Sequence, residues 1–259
     1  MLEIRTMNTI LSIILFLYGI TLGSFFNVVG LRVPVKQSIV KPRSACPTCG
    51  HQLKAYELIP VVSYLIQGGK CRGCQSRISP IYPIMELLTG CLFAVTPIFI
   101  GWSGELFVTL TLISMFIMIM VSDIQYMIIP DKILIWFAGI FLLERMIWPL
   151  TPWWDSPLGA AVGFVLLLSI AVVTKGGMGG GDIKLYGLLG FVLGCKLVLL
   201  SFFLSTLYGA IFGGLALLFR IVKRRQPIPF GPFIAAGTLT AYFWGTDLIQ
   251  LYIRTFIMY

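Results

Sequence analysis

The sequence predicts an all-α, polytopic membrane protein of about eight transmembrane helices, with a polar cytoplasmic loop after the first. Three observations carry that expectation. Of the 259 residues, 58% are hydrophobic and only 11% charged, with a mean hydropathy of +0.95; an ordinary soluble domain carries about 25% charged residues. Long apolar runs recur along the chain, separated by short polar breaks. Basic residues gather in some of those breaks and avoid the others, as the positive-inside bias requires. The net charge of +9 is therefore read as marking the cytoplasmic side, and no direct nucleic-acid partner is expected.

The first apolar run, about Asn8 to Val29, is long enough to cross a bilayer. Arg32, rather than a small-residue cleavage site, follows it, which argues against a cleavable signal peptide. Residues 1–30 are thus expected to form the first transmembrane helix, 31–80 a cytoplasmic loop, and 81–259 a bundle of seven helices. The loop holds eight basic residues, and basic residues recur at Lys132, at Lys175 and Lys184, and at Arg220, Lys223, Arg224 and Arg225. If all these regions are cytoplasmic, an even number of spans separates each from the next. Residues 81–122 give a hairpin broken near Gly101-Trp102-Ser103-Gly104. Residues 132–174 give a second, broken between Pro149 and Pro157, where Trp153 and Trp154 suit an interface. The third, 184–220, is tight, turns near Cys195-Lys196 and has a short first helix. One span after Pro232 completes eight, with both termini outside. All but Arg5, Arg145, Lys196 and Arg254 of the 19 basic residues are then cytoplasmic.

Within the loop, Cys46-Pro-Thr-Cys49 and Cys71-Arg-Gly-Cys74 are two CxxC knuckles separated by 21 residues. Four thiolates at that spacing suit a structural Zn²⁺ in a zinc-ribbon-like loop, with no position left for a catalytic water. Disulfides do not persist in the cytoplasm, which favours metal over two cross-links. His51, the only histidine, is read as a neighbour of the site rather than a ligand. Cys91 and Cys195 lie in apolar runs and read as packing residues.

The stretch from Lys175 to Lys184 contains five glycines between residues 176 and 181 and then Asp182. Irregular backbone of that kind is viable at a membrane only where it lines a wet cavity or is buried in protein. Asp182 is therefore expected on a flexible loop at the membrane edge. Among the ten acidic residues, Asp123 also stands at that edge, ending the third span. Two carboxylates facing each other in a partly desolvated site share a proton, because both cannot easily ionise. The ionised member can then take a proton from water as it attacks a peptide carbonyl, while its partner polarises that carbonyl. The structural alternative makes Asp123 an interfacial or capping group and Asp182 a helix cap. Glu86, inside the second span, is costly unless it faces the bundle or the interface. Asp131 opens the fourth span, where an acidic cap accounts for it.

Gly179-Gly180-Gly181-Asp182 matches the GxGD motif of intramembrane-type aspartic proteases. Together with Asp123…Pro130-Asp131, the double CxxC loop, Gly23-Ser24-Phe25-Phe26-Asn27-Val28, Arg32-Val33-Pro34 and Glu57-Leu58-Ile59-Pro60, it resembles the bacterial type IV prepilin peptidases over almost the whole chain. The look is nearest to the late-competence members of Gram-positive bacteria, which serve a DNA-uptake apparatus. The resemblance implies a multi-pass enzyme of the plasma or inner membrane with its active site facing the cytoplasm. Such enzymes cut the short basic leader of prepilin-like membrane proteins after a glycine, for pilus or pseudopilus assembly, secretion or DNA uptake. Many then methylate the new N-terminus with S-adenosylmethionine. Carried over residue by residue, the catalytic pair is Asp123 and Asp182, supported by Gly179 and Gly181, with Asp131 the alternative to Asp123. Cys46, Cys49, Cys71 and Cys74 become the metal loop. No motif independent of the resemblance supports the methyl donor; Glu57 and the stretch from Lys70 to Arg77 are candidates for that half.

Two other readings compete. A metal-dependent membrane transferase would hold Mg²⁺ with Asp123, Asp131 and Asp182, but such sites need clustered carboxylates, and these are spread over two distant loops. A non-catalytic carrier or pilus-assembly scaffold would use the broken helices to line a pore. The oligomeric state is left open by the sequence.

Overall fold

The computed structural model describes residues 2–223 and 226–256, with side chains from Met7 onward. Arg224 and Arg225, and the side chains of Glu3 and Arg5, lie outside the described residues. Nearly all of the described chain outside the polar loop is helical: α1 (Leu2–Arg32), a 3₁₀ turn (Ala55–Leu58), α2 (Val62–Ile66), α3 (Ile81–Ile100), α4 (Gly104–Tyr126), α5 (Asp131–Ile147), α6 (Asp155–Val173), α7 (Gly180–Leu218) and α8 (Gly231–Phe256). Among the described residues the only β pairing is two isolated bridges, Ala45 with Gln52 and Lys70 with Arg77. Helices are what lipid demands, because each satisfies its backbone polar groups internally. Five of them, α1, α3, α4, α6 and α7, are long and apolar enough to cross a membrane.

The chain divides into two compact units, Met1–Gln125 and Tyr126–Tyr259. In the first, α1 packs on α3 through small residues. A Cβ at Gly19 would stand 2.8 Å from the Gly90 Cα, and one at Gly23 would stand 2.9 Å from the Glu86 Cα. Contact between backbones is how helices attract where no water is available to be excluded. Buried threonines in this unit donate to the carbonyl four residues back, Thr89 to Met85 at 2.6 Å and Thr96 to Leu92 at 2.6 Å, so no hydroxyl is stranded. Gly101, at φ +72°, ends α3 by returning its N–H to the Pro97 carbonyl at 2.9 Å. α4 then forms the centre of the unit; Leu112, Ile113, Met115, Ile117 and Ile119 have no solvent exposure.

In the second unit α7 is two helices in one. At Gly194 (φ +79°, ψ +175°) the backbone leaves the helical region, and the chain folds back on itself. Tyr186 and Phe202 would be about 24 Å apart in a straight helix, yet their ring centroids are 5.7 Å apart. The expected turn at Cys195-Lys196 thus falls one residue earlier. The first arm, 180–193, spans only about 21 Å, the short helix expected. Counting the arms separately, and leaving out the short α2, gives eight α-helices among the described residues.

The turn is held from both sides. Arg145, 5% exposed, donates Nη2 and Nε to the Val192 carbonyl at 2.6 and 3.1 Å, and Nη1 to the Trp148 carbonyl at 3.2 Å. Asp155 Oδ1 accepts the Cys195 N–H at 3.1 Å. A cation therefore closes the carbonyl end of the first arm and a carboxylate caps the amide end of the second, the signs each helix end prefers. Only glycine fits between them, since a Cβ at Gly194 would collide with the Asp155 carboxylate. α6 lies against both arms. A Cβ at Gly163 would run into the Tyr186 carbonyl and stand 3.2 Å from Val198 Cγ2, while Gly159 and Gly190 meet backbone to backbone. α8 closes on the second arm, where the Ser201 and Thr238 hydroxyls lie 2.7 Å apart and buried.

Candidate active site and metal centre

Asp182 is not on a loop. Gly179 is the residue that caps α7, in extended conformation (φ −68°, ψ +139°), and Asp182 sits in the first helical turn with its N–H on the Gly179 carbonyl at 3.1 Å. The expected flexible loop is shorter than the glycine content suggests. Left-handed backbone occurs upstream, at Lys175 (φ +53°) and Gly176 (φ +92°). The glycines of the motif serve space instead. A Cβ at Gly181 would lie 2.8 Å from the Ile129 Cβ, and one at Gly179 would lie 3.1 Å from Asp182 Oδ2. Gly180, the variable position of GxGD, has nothing within 4 Å of a Cβ. The first turn of a helix carries unpaired amides and positive potential, so it suits a carboxylate.

Asp123 lies in the other unit, in the last turn of α4, and is 7% exposed. Beyond it α4 ends at Tyr126 and Met127 takes φ +54°. Pro130, extended, then leads into α5, whose first residue is Asp131. Asp131 is paired. Lys184 Nζ reaches both of its oxygens, at 2.8 and 2.7 Å, and both side chains are more than half exposed. This pair joins the start of α5 to the start of α7, two residues beyond Asp182 on α7. Glu86 is buried, and its Oε2 accepts the Val61 N–H at 2.7 Å, which accounts for a carboxylate inside the second span.

The cysteine loop is built from two turns of the same plan. In the first, the Cys46 N–H donates to the His51 carbonyl and the Gly50 N–H to the Cys46 carbonyl, both at 2.9 Å. In the second, the Cys71 N–H donates to the Ser76 carbonyl and the Gln75 N–H to the Cys71 carbonyl, again at 2.9 Å. Gly50 and Gln75 both have positive φ, and the two β-bridges occupy matching places, Ala45 with Gln52 and Lys70 with Arg77. A repeat of backbone hydrogen bonds with little repeat of sequence escapes inspection of the sequence.

These turns bring Cys46, Cys49, Cys71 and Cys74 together, with every sulfur within 4.8 Å of the others. The Cys46–Cys74 and Cys49–Cys71 Sγ separations are 3.8 and 3.9 Å. Sulfurs tetrahedrally placed at about 2.3 Å from a zinc ion stand about 3.8 Å apart; disulfide sulfurs stand at about 2.05 Å. The donor set and its spacing fit a tetrahedral thiophilic metal. The Cys49 amide, the Ser76 hydroxyl and the Thr48 amide pull the Cys46 thiol down to about 5, while, against the His51 amide, the hydrogen bond with Cys74 and burial push the Cys49 thiol up to about 12. The four sulfurs share their protons, and a bound metal would displace those that remain.

His51 stands outside the cluster, its Nε2 3.3 Å from Glu57 Oε2. Glu57 is buried and also accepts the Lys54 N–H at 2.8 Å, while Arg72 Nε approaches Oε1 at 4.0 Å and its guanidinium covers the Tyr56 ring at 4.9 Å. The Lys54 amide holds the Glu57 carboxyl below its ordinary value, outweighing burial, with His51 and Arg72 acting in the same direction. Its contribution to the loop's stability is thus present above the ordinary carboxylate range and is lost as pH falls through the lowered value.

Residues 17–100 match the bacterial peptidase A24 N-terminal domain, and residues 110–214 match the type IV leader peptidase family. The chain is 48% identical to the prepilin leader peptidase/N-methyltransferase of Bacillus subtilis (strain 168), over 93% of this chain and 97% of the relative. It is 33% identical to the prepilin leader peptidase/N-methyltransferase of Aeromonas salmonicida (strain A449), over 94% of each. The Pseudomonas aeruginosa protein of the same name is 32% identical over 92% of each. No solved structure gives a significant match.

Proposed function

The chain belongs to the type IV leader peptidase family, and we propose that it is an aspartic endopeptidase acting with Asp123 and Asp182. Its substrates are prepilin-like membrane proteins, whose short basic leader it removes after a glycine. The charge distribution supports a cytoplasmic active site at the edge of the plasma membrane. A basic leader stays in the cytoplasm while the apolar helix beside it enters the bilayer, so the scissile bond would lie at the cytoplasmic edge of the membrane, where the charge pattern expects both aspartates.

The observation that carries the reading is the GxGD sequence with its aspartate in the first turn of α7. The positive end of that helix suits Asp182 to bear the negative charge and take a proton from the attacking water. Asp123, largely withdrawn from solvent, is the partner that holds a proton against the peptide carbonyl and returns one to the leaving amine. Lys184 already occupies both oxygens of Asp131, which disfavours Asp131 as Asp182's partner and disfavours a Mg²⁺ site on the three aspartates.

The four cysteines hold Zn²⁺ as a structural ion, which closes the loop and leaves no open position for chemistry. Residues 81–259 form the peptidase bundle after the first span (1–30), and the loop (31–80) serves N-methylation of the new N-terminus with S-adenosylmethionine. The pathway served is pilus or pseudopilus assembly, secretion or DNA uptake.

The test is cleavage of a purified prepilin-like substrate by the wild type and by Asp123→Asn, Asp182→Asn and Asp131→Asn, each verified as folded. Cleavage falls by about 10²–10⁴ or more in the first two, as expected for losing acid–base groups, and survives in the third. Activity retained in Asp123→Asn but lost in Asp131→Asn transfers the partnership to Asp131. A wild type that never cuts while pilin assembly depends on it leaves a scaffold.

A further inference from the structure

The loop carries an apolar face that its metal cluster does not explain. Ile59, Val62, Leu65 and Ile66 are 48%, 47%, 70% and 72% exposed and cluster on and beside α2. A loop facing only water has no reason to display them.

Their depth follows from one hydrogen bond. Val61, the residue before α2, gives its N–H to Glu86 Oε2 at 2.7 Å. Glu86 lies five residues into α3, about 7.5 Å from the start of that span, and helix side chains lean toward the N-terminus, here toward the loop. Asn27 Nδ2 of α1 meets the Tyr82 carbonyl at 3.1 Å, so α1 reaches the same level within its last turns. α2 therefore starts beside the first turns of a transmembrane helix, at the bilayer boundary.

Basic groups flank it. Lys70 and Arg77 are opposed in an antiparallel bridge, which sends their side chains out on one face. With Tyr64, Gly68, Gly69, Ile78, Ser79 and Pro80, the last being the residue before α3, they line an open cavity of about 580 Å³. Neither cation is ion-paired among the described residues.

We propose that α2 is an interfacial anchor, laying Ile59, Val62, Leu65 and Ile66 into the leaflet on the loop side, and that the Lys70–Arg77 cavity takes the phosphate of an anionic phospholipid. The face is tied to α3 through Val61 and Glu86, near the exposed Ile84 and Leu87 of that helix, and the charge is of the sign an anionic leaflet attracts. The lipid thereby fixes the height of the cysteine loop above the membrane. This is independent of the peptidase reading, because nothing in it requires cleavage.

The experiment is amide hydrogen exchange over residues 62–70 of the full-length, metal-loaded protein in nanodiscs. The discs contain either phosphatidylcholine alone or phosphatidylcholine with phosphatidylglycerol, with native mass spectrometry of the lipids retained. Exchange slows about tenfold or more on adding the anionic lipid, and phosphatidylglycerol is carried preferentially. The Lys70→Ala/Arg77→Ala variant loses that increment alone. The Leu65→Ser/Ile66→Ser variant exchanges faster in both discs while keeping its metal, which shows the loop still folded. Exchange indifferent to lipid charge, with no preference among retained lipids, overturns the cavity assignment; Leu65→Ser/Ile66→Ser exchange equal to wild type overturns the anchor. Protection that arises only when a prepilin peptide is added overturns both and gives the face to substrate.

Discussion

The cysteine loop and the turn inside α7 are both chain reversals, and they are held in opposite ways. The loop has few buried apolar side chains; what is buried is Cys46, Cys71 and the Glu57 carboxylate, and its backbone turns twice around four sulfurs. The α7 turn consumes one non-helical residue and is enclosed by packed helices, with Arg145 and Asp155 capping the two ends it exposes. The first would therefore depend on a metal held by the four sulfurs, which can leave. The second depends on contact between backbones, which has no substitute. Stability of the loop should accordingly be separable from that of the helices, whereas the turn should stand or fall with its unit.

The largest effect is expected at the backbone contact. Gly190→Leu places a side chain where the Gly159 carbonyl lies; overpacking costs about 1–3 kcal/mol, and more where the clash is with backbone, so loss of the monodisperse species in detergent chromatography is the expected result. A folded variant with unchanged melting temperature breaks the comparison. Next, Cys71→Ser should release the metal and make residues 55–78 protease-sensitive, while the helices keep their thermal unfolding transition. Metal content and limited proteolysis read the two regions separately, and joint collapse would mean they are not separable. Removing one cap is smaller. Arg145→Met leaves the Val192 carbonyl unmet and should cost about 1–3 kcal/mol, seen as a lower melting temperature with the cysteine loop's metal retained. Smallest is Lys184→Ala. An ion pair this exposed contributes about 0–1 kcal/mol, so its melting temperature should scarcely move, and a large loss would show the α5–α7 link to be structural.

The sequence already contained the helical class, the number of helices, the four cysteines that come together and the candidate aspartates, because each is written in local composition or short spacing. Spans announce themselves by apolar length, and CxxC knuckles by the need of a small turn to present two sulfurs. The hairpin in α7 was readable from its charge pattern to within one residue, since Lys196 interrupts the apolar run beside Gly194. The role of the motif glycines was not. Their number suggested a pliable loop, yet Gly181 is required by Ile129, 52 residues earlier, and φ at Gly179 is ordinary. Asp131 read as a simple cap because its partner, Lys184, is 53 residues away. The same holds for Glu86 with Val61 and for Arg145 with Val192. Composition and spacing decide which segments enter the membrane and which atoms can bind a metal, since those properties belong to a few neighbouring residues. Only tertiary structure decides which carboxylate is neutralised, which carbonyl is capped and which glycine must stay bare, because each depends on the atom that packing brings within about 3 Å.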